Sequence, residues 1–478
     1  VTSVVIIGAG PAGLAAARAA RARQAAVTLL DSSDEVGGQY WRHLPAERPA
    51  ERESLLHHGW STFLELREAL EADPGCDIVT SAQVWAIERD ANDSPVVHVL
   101  VGEPDGTDRS QLILTPDALV LATGAHDRTL PFPGWQLPGV FSAGAAQALA
   151  KGERVAVGRR VVVAGAGPFL LPVAAALAQT GARVVGVFEA SRVRGLMAGW
   201  LPQPHKLMGV AGKTGELAGY LLSHLHHRIP YRTGHAVVAA HGTDRVESVT
   251  VARVNADWSP IPGTERRIRA DAVCVSHGFT PRLELAIAAG CNISADRFVT
   301  VDAAQRSTVP TVFAAGEITG IGGVDAALAE GTLAGHCAAG GSPTDPTVAR
   351  HEKKRAVYVD FAARLERAHG IRRGWTAWLK NDTTICRCED VSYETIRTTT
   401  EATCAVGLRS VKLTTRAGLG ICQGRMCGRT LEDLAGRSAP GGLIDRVSTD
   451  RRPIAAPVRL GDLARAHDAT AAIPTDSL

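Results

Sequence analysis

Cysteine is missing where thiol–disulfide exchange would need it. Cys76 is the only cysteine among the first 273 residues, and Cys274, Cys291 and Cys337 form no close pair. Exchange requires two neighbouring thiols, so a disulfide reductase is excluded. Net charge is nearly absent too. The 51 Lys and Arg against 49 Asp and Glu leave +2, which implies no acidic partner. Basic clusters such as Lys353, Lys354, Arg355 and Arg372, Arg373 read as solvated helix faces, with no nucleic acid expected. No charged segment precedes the first apolar run and no cleavage site follows it, so no secretory signal is expected. The charge-free stretch 161–182 is long enough for a bilayer. Gly165, Gly167, Pro168 and Pro172 break it into strand, turn and helix. The expectation is a soluble, cytoplasmic chain with no transmembrane segment.

What is present begins at the N-terminus. Val4, Val5, Ile6 and Ile7 read as a buried parallel strand, followed by Gly8-Ala9-Gly10-Pro11-Ala12-Gly13 and an Ala/Leu-rich helix at 14–22. This is the dinucleotide fingerprint with a strand before it and a helix after it. Gly8 makes the tight turn, Gly10 lets backbone approach a pyrophosphate, and Gly13 lets helix and strand pack. The helix N-terminus offers N–H groups and partial positive charge to phosphates. A second strand, 27–30, ends at Asp31, roughly 20 residues on, where a carboxylate meets a ribose hydroxyl. Ser32 follows it.

With 478 residues, 45% of them hydrophobic, the chain has room for two to four domains with sizeable cores. A second strand–turn–helix unit begins near Arg160: strand 161–164, turn Gly165-Ala166-Gly167-Pro168-Phe169-Leu170, helix 172–179, and a strand 183–188 ending at Glu189. Leu170 replaces the third glycine, so helix and strand cannot approach as closely. Glu189 suits an unphosphorylated ribose. Two readings stand side by side: a working nucleotide site for NAD or ATP/ADP, and a retained but empty fold. Residues 215–228 read as an amphipathic helix, and His224, His226 and His227 on it as surface histidines.

Cys386-Arg387-Cys388 and Cys422-Gln423-Gly424-Arg425-Met426-Cys427 lie 33 residues apart. Paired cysteines of this kind mark a metal site in a reducing cytosol rather than a disulfide framework. Cys76, Cys274, Cys291, Cys337 and Cys404 read as packed thiols. Four thiolates hold zinc or an iron–sulfur cluster. The tight C-x-C disfavours zinc, and a loop with Gly418, Gly420, Gly424 and Gly428 offers N–H groups to bridging sulfides, as a 2Fe–2S cluster needs. Between the pairs, 392–400 reads as a short helix and 410–415 as a strand-like run.

Several further stretches resemble the two-dinucleotide-domain flavoproteins. They are Gly37-Gly38-Gln39-Tyr40-Trp41-Arg42, the strand 82–87 with Val84, Ala122-Thr123-Gly124, and Thr311-Val312-Phe313-Ala314-Ala315-Gly316-Glu317 followed by Gly322-Gly323-Val324. The resemblance implies FAD. It places Gly38 and Gln39 along the ribityl chain with Arg42 among the cofactor-binding residues, Val84 backbone at adenine, and Ala122, Thr123 and Gly124 beneath the pyrophosphate. It also places Gly316 and Glu317 at ribityl hydroxyls. Glu317 departs from the usual Asp by one methylene. Gly323 and Val324 open a helix, 326–337, whose N-terminus faces the flavin pyrimidine edge. The cysteine module resembles the bacterioferritin-associated-ferredoxin-like 2Fe–2S domain, with C-x(4)-C in place of the frequent C-x(2)-C.

The combination resembles the FAD-bearing subunit of heteromeric amine or amino-acid dehydrogenases, over roughly residues 1–465. The fold class implied is α/β: two Rossmann-like dinucleotide-binding domains plus a small helical iron–sulfur domain. The expected division is 1–125 with 285–343 for FAD, 126–284 for the second dinucleotide fold, 344–383 as helical connector, 384–440 for 2Fe–2S, and 441–478 as extended tail. The resemblance implies a hetero-oligomer that relays electrons from a C–N bond through flavin to the cluster. Its partners are an FAD-dependent, amino-acid-oxidase-like protein and, in some relatives, a small ferredoxin-like subunit, with FMN between subunits. The alternatives are a self-sufficient NADH oxidoreductase and a non-catalytic scaffold. No general base is assigned, although His126, His277 and Arg128 lie near strand ends where such folds bind ligands.

Overall fold

The computed structural model describes residues 1–464 except 46, 49, 51, 52, 404–406, 439–450 and 453. The expectations for Cys404 and most of the tail therefore fall outside the described residues.

The chain opens with β1 (Ser3–Ile7), α1 (Pro11–Arg21) and β2 (Ala26–Leu30). Proline at the first helical position is pre-set for helix and has no N–H to waste there, so α1 begins at Pro11 instead of residue 14. Then come α2 (Trp60–Glu71), β3 (Cys76–Val79), an antiparallel meander of β4 (Ala82–Arg89), β5 (Pro95–Val101) and β6 (Ser110–Leu114), and β7 (Ala118–Leu121). Short β8 (Ala125–Asp127) leads out to β9 (Val140–Ser142) and α3 (Ala143–Gly152).

The second unit runs β10 (Arg160–Gly165), α4 (Leu170–Gln179), β11 (Arg183–Glu189), α5 (Val193–Trp200), α6 (Ala211–His226) and β12 (Tyr231–Thr233). A three-stranded meander of β13 (His235–His241), β14 (Ser248–Arg253) and β15 (Arg266–Arg269) precedes β16 (Ala272–Ser276). Return strand β17 (Phe279–Pro281) pairs antiparallel with β8. The chain then adds α7 (Glu284–Ala288), β18 (Val312–Ala314) and α8 (Val324–Ala338) to the first unit.

Two parallel sheets result, ordered β18-β7-β1-β2-β3 and β12-β11-β10-β16-β9. Their central strands are buried on both faces, as parallel strands between helices must be. Each fully buried Ile or Leu, such as Ile6 and Leu29, contributes about 1.5–3 kcal/mol. In the first unit α8 lies against α1 at glycine distance. A Cβ on Gly331 would fall 2.1 Å from the Ala12 carbonyl oxygen, and one on Gly335 would fall 2.0 Å from that of Ala16.

Helix α9 (Ala349–His369) crosses from the first unit to the second. The cysteine module holds β19 (Thr384–Cys386), β20 (Val391–Ser392), α10 (Tyr393–Thr403), α11 (Leu408–Thr415) and α12 (Gly428–Ser438). Helix α11 corrects the strand expected at 410–415. Leu408 and Val411, three apart, both face the core, and the Thr415 hydroxyl donates back to the Val411 carbonyl oxygen at 2.6 Å. Period three, rather than the β-branched composition, decides the element. The module shares a core with the second unit through Trp258, Trp375 and Trp378. Trp258 and Trp378 stack at 6.5 Å between centroids, and the Trp378 indole N–H donates to the Trp258 carbonyl at 2.9 Å. Among the described residues no helix is long and apolar enough to cross a membrane. The charge-free stretch 161–182 is spent on β10 and α4.

Candidate active site

The β1–α1 turn builds a backbone cradle. Gly8 has φ of +104°, and a Cβ on it would lie 2.3 Å from the Ala122 carbonyl oxygen. Gly10 and Gly38 face each other: a Cβ on Gly38 would lie 2.9 Å from Gly10 Cα. Gly10 caps α1 with no side-chain hydrogen bond, so no side chain satisfies the positive end of the helix. Gly323 caps α8 without a side chain of its own, and its N–H is taken by Glu317. Both glycine-capped helix starts, the Gly38 loop and Glu317 belong to the first unit.

Asp31 accepts from Ala9 N–H at 2.6 Å and from Ser33 N–H at 2.8 Å, which fixes its carboxylate beside the turn. Ser32 and Gln39 are exposed, and Arg42 is half-buried. Ala82 N–H donates to the Asp31 carbonyl at 2.7 Å, which brings the start of β4, with Val84, alongside. Thr123 Oγ1 donates to the Arg282 carbonyl at 2.9 Å, and Arg282 N–H donates to Gly124 O at 3.0 Å. Gly316 turns with φ of +81° against Ala12. Glu317 accepts from Gly323 N–H at 2.8 Å, and Val324 starts α8. Burial pushes the Glu317 carboxyl up to about 7, with Glu330 adding repulsion against the pull of that N–H.

The N-terminal end of α8 is covered by residues that carry no sequence motif. Asp325 pairs with Lys213 of α6 at 3.0 Å and Lys354 of α9 at 2.9 Å. Burial would raise its carboxyl, but the two lysines hold it below the usual range. The Tyr40 phenol is pushed well above 10 by burial, with Glu216, Tyr220 and Asp325 adding to the shift. His58 stacks edge-on with Tyr220 at 5.2 Å. The histidines expected on the surface of α6 divide. His224 is buried, 3.2 Å from the Leu171 carbonyl oxygen, because it faces α4, whereas His226 and His227 are exposed.

In the second unit Glu189 is sealed. It accepts from Gly167 N–H at 2.8 Å, Ser191 N–H at 3.0 Å and the Tyr231 hydroxyl at 3.2 Å, and His369 at the end of α9 lies 3.5 Å away. Glu189 is 0% exposed, against 9% for Asp31. Gly165, with φ of +142°, sits against the Ser276 carbonyl, while Gly167 and the following Pro168 border open space.

The four paired cysteines converge as two contacts. Cys386 touches Cys427, and Cys388 touches Cys422. Cys386 is pulled down to about 6 by the Cys427 thiol and by N–H groups of Gly418, Glu389 and Cys388, which outweigh its burial. Among the described residues no three His, Cys, Asp or Glu surround one point as ligands of a single ion. The contacts Cys386–Cys427 and Cys388–Cys422 make a donor set of two sulfur pairs, as a two-iron cluster takes.

The thiol loop is fastened to the hinge between the dinucleotide units. His126 Nε2 lies 3.0 Å from the Arg425 carbonyl oxygen. Arg425 and Arg452 pair with Glu284 at 3.0 and 3.3 Å. Arg128 reaches Asp433 at 2.6 Å, and Arg297 reaches Glu432 at 2.6 Å. Arg282, exposed at the hinge, sits within electrostatic reach of Asp31, Arg42, Glu284 and Arg425. No local motif marks Arg282, beyond its place just after the β17 turn. His277 packs against Trp258 and Trp378 and is held down to about 3 by burial and by Arg128, so it is neutral and structural.

The sequence profile of the pyridine nucleotide-disulphide oxidoreductases matches residues 2–331, more than half of the chain. The chain belongs to that family. A BFD-like 2Fe–2S binding domain matches residues 384–436. The hydrogen cyanide synthase subunit HcnB of Pseudomonas protegens is 32% identical over 474 residues, covering 95% of this chain and 96% of that one. The opine oxidase component of type A from Rhizobium meliloti is 31% identical, covering 97% of this chain and 87% of that one. Among solved structures, L-proline dehydrogenase from P. horikoshii superposes with TM-score 0.63 at 20% identity, covering 97% of this chain and 79% of that one. That likeness shows the fold.

This family member is thus an FAD- and 2Fe–2S-dependent oxidoreductase. The residues fit both groups. Gly10 and Gly38 bring two stretches of bare backbone into contact beside the start of α1, the close backbone approach that a dinucleotide pyrophosphate needs, and the two sulfur pairs suit a two-iron cluster. The glycines of α8 that let it touch α1 have a legible signal, the four-residue spacing of Gly331 and Gly335, which the fingerprint overshadows.

Proposed function

We propose that this chain is the electron-transferring subunit of a heteromeric dehydrogenase acting on the C–N bond of an amino acid, opine or related secondary amine. An amino-acid-oxidase-like partner takes the hydride, and this chain passes the electrons from flavin to cluster to an external acceptor. The observation that carries the reading is the fastening of the thiol loop to the hinge where the chain leaves and re-enters the flavin unit, through His126, Arg425 and Glu284. A chain that used its two cofactors separately would have no need of that contact. FAD accepts electrons as a pair and a 2Fe–2S centre passes them singly.

The residues divide the work. Gly8, Gly10, Pro11, Ala12 and Gly13 present N–H groups and a helix dipole to the pyrophosphate, Asp31 and Ser32 face the adenosine ribose, and Val84 backbone meets adenine. Gly38, Gln39, Arg42, Ala122, Thr123, Gly124, Gly316 and Glu317 line the ribityl and pyrophosphate path. Gly323 and Val324 aim the start of α8 at the pyrimidine edge, where positive potential favours a reduced ring. Cys386, Cys388, Cys422 and Cys427 hold the cluster. The domain limits follow the same scheme: 1–125 with 285–343, 126–284, 344–383 and 384–440. An FMN between subunits and a small ferredoxin-like third component complete the assembly that the dehydrogenase resemblance implies.

Two observations support a subunit over a self-sufficient NADH oxidoreductase. The carboxylate that would meet a second nucleotide, Glu189, is engaged by Tyr231 and His369 of its own chain. Met197 and Leu201 on and beside α5, and Leu221, Leu222 and Leu225 on α6, leave an apolar surface exposed, as subunits do where a partner packs. The deciding experiment purifies the native complex, screens amino acids and opines with a dye acceptor, and repeats the assay with the four cysteines changed to serine. Loss of dye reduction is expected. An unchanged rate would refute the relay, and rapid flavin bleaching by NADH in the isolated chain would replace it with the self-sufficient reading.

A further inference from the structure

The second dinucleotide fold repeats the first down to its carboxylate. Asp31 and Glu189 each stand at the end of the strand after the helix, and each accepts two backbone N–H groups, from Ala9 and Ser33 in one unit and from Gly167 and Ser191 in the other. Beyond those bonds they differ. Among the described residues no side chain hydrogen-bonds Asp31. Glu189 Oε2 also accepts from the Tyr231 hydroxyl at 3.2 Å, and His369 Nδ1 lies 3.5 Å from the same oxygen. With Glu189 0% exposed, no surface of it is left for a ligand. Gly167, the counterpart of Gly10, gives its N–H to Glu189, so the turn has lost a donor that a pyrophosphate would take. Three contacts seat the end of α9 here. The Trp200 indole N–H donates to His369 Nε2 at 3.3 Å, which leaves the ring proton on Nδ1, facing Glu189. A Cβ on Gly199 of α5 would fall 2.6 Å from Ala368 Cα, so α5 and α9 meet at glycine distance. Arg364, 1% exposed, donates to the carbonyls of Trp200 at 2.9 Å and Gln203 at 3.2 Å. Burial works against the Glu189 carboxylate, but His369 and the N–H groups of Gly167 and Ser191 hold it below the usual range.

Membership of the pyridine nucleotide-disulphide oxidoreductases implies a pyridine nucleotide in this fold, and the residues around Glu189 do not fit one. We propose that the end of α9 is the fold's own occupant, with His369 and Tyr231 giving Glu189 the donors that a ribose hydroxyl would give, and that the fold serves as the seat of the arm that carries the cysteine module. Lys354, near the start of α9, is paired with Asp325 of the first unit at 2.9 Å, and His369, at its end, is held in the second. From His369 the chain runs within a few residues to Trp375 and Trp378, which join the cysteine module to the second unit. An adenine nucleotide that reached Glu189 would have to lift His369, and with it the root of the module. This occupancy is independent of which donor feeds the flavin.

The test uses the full chain loaded with FAD and iron, so that the first unit is already filled. NADH, NAD+, ADP and ATP are titrated in turn by calorimetry into the wild type, into His369→Ala, and into His369→Ala combined with Tyr231→Phe. The wild type is expected to show no saturable binding up to about 1 mM. His369→Ala is expected to gain binding of at least one of the four, tighter than the wild type by about tenfold or more, because the competing occupant is gone. The double variant is expected to bind more tightly still. Adding Glu189→Gln to it is expected to reverse the gain, which a merely structural His369 would not produce. Trp200→Phe takes away the indole N–H and leaves Glu189, Tyr231 and His369 in place. It is expected to give a smaller gain of the same kind and keeps the test decisive if His369→Ala does not fold. Micromolar binding by the wild type would overturn the proposal. So would opened variants that bind none of the four, or a gain that survives Glu189→Gln. NADH that bound to the wild type without bleaching its flavin would remove the internal occupant and leave the relay standing. A closed wild type in a complex whose cluster amines never reduce would do the reverse.

Discussion

His126 Nε2 lies 3.0 Å from the Arg425 carbonyl oxygen, so a residue of the hinge strand β8 donates to the backbone of the thiol loop. Burial depresses the His126 imidazole below 6.5. The ring is therefore neutral at pH 7, with its proton on Nε2. Replacing it with alanine removes one buried hydrogen bond, about 1 kcal/mol, and loosens the loop on the side facing the flavin unit. His126→Ala is expected to keep flavin and iron contents and to slow flavin-to-cluster transfer several-fold in stopped-flow absorbance. Equal rates would show that the contact has no part in transfer.

Gly10 and Gly8 should part company on substitution. Gly10 has ordinary extended angles and its nearest Cβ neighbour would be 3.9 Å away, so Gly10→Ala folds with little change in melting temperature. It adds a methyl group to the turn whose bare backbone would approach the pyrophosphate, and FAD affinity is expected to fall at least about tenfold, a cost of about 1.4 kcal/mol. Gly8→Ala, at φ of +104° and 2.3 Å from the Ala122 carbonyl oxygen, is expected not to fold. Fluorescence titration of apoprotein with FAD, beside a thermal melt, separates the two.

Glu317 gives a pH signature of definite sign. Its carboxyl stays protonated in the fold up to about 7, while the unfolded group ionises near 4.5. Between those values the unfolded chain releases a proton that the fold retains, so stability falls as pH rises through this window and levels off above it. Glu317→Gln removes this slope. Melting temperatures from pH 4.5 to 8 for both proteins check it, and parallel profiles would contradict the assignment.

His277 acts with the opposite sign. The folded imidazole is held down to about 3 against 6.5 unfolded. Stability is then complete above pH 6.5 and declines as pH falls toward 3, by up to about 4–5 kcal/mol in the limit. His277→Phe, between Trp258 and Trp378, is expected to flatten the acid limb of a denaturation profile.

Trp378 joins the cysteine module to the second unit. Trp378→Ala opens a large cavity between them and is expected to cost about 3–5 kcal/mol. Limited proteolysis should then release the module before the dinucleotide units unfold.

The first unit is legible because its signals are local. A strand, a glycine turn, a helix start and a following acid each occupy a few adjacent residues, and Gly8, Gly10 and Asp31 stand where that pattern puts them. The cysteine pairs are legible for the same reason. What a sequence does not carry is contact at long range. Nothing near Asp325 announces Lys213 and Lys354, which lie on two other helices. Nothing near Glu189 announces His369, 180 residues on in the chain numbering. Helix α11 escapes for a different reason: its threonines and valine have strand propensity, and only burial of Leu408 with Val411 shows the period. His224 escapes because α6 carries a second, narrower contact with α4.

The described tail is more than an appendage. Ile454, Ala456, Val458 and Leu463 pack on the Trp85 meander, Ala455 N–H donates to the Trp85 carbonyl at 2.7 Å, and Asp462 pairs with Arg109 at 2.9 Å. On its way the tail hands Arg452 to the Gln423 carbonyl and receives Arg425 on the Ala455 carbonyl at 2.9 Å. It is a strap buckled across the cysteine loop. A chain shortened just after α12 would keep every thiol ligand and lose the buckle, so the wine-brown colour of such a truncation should fade in air sooner than that of the full-length protein.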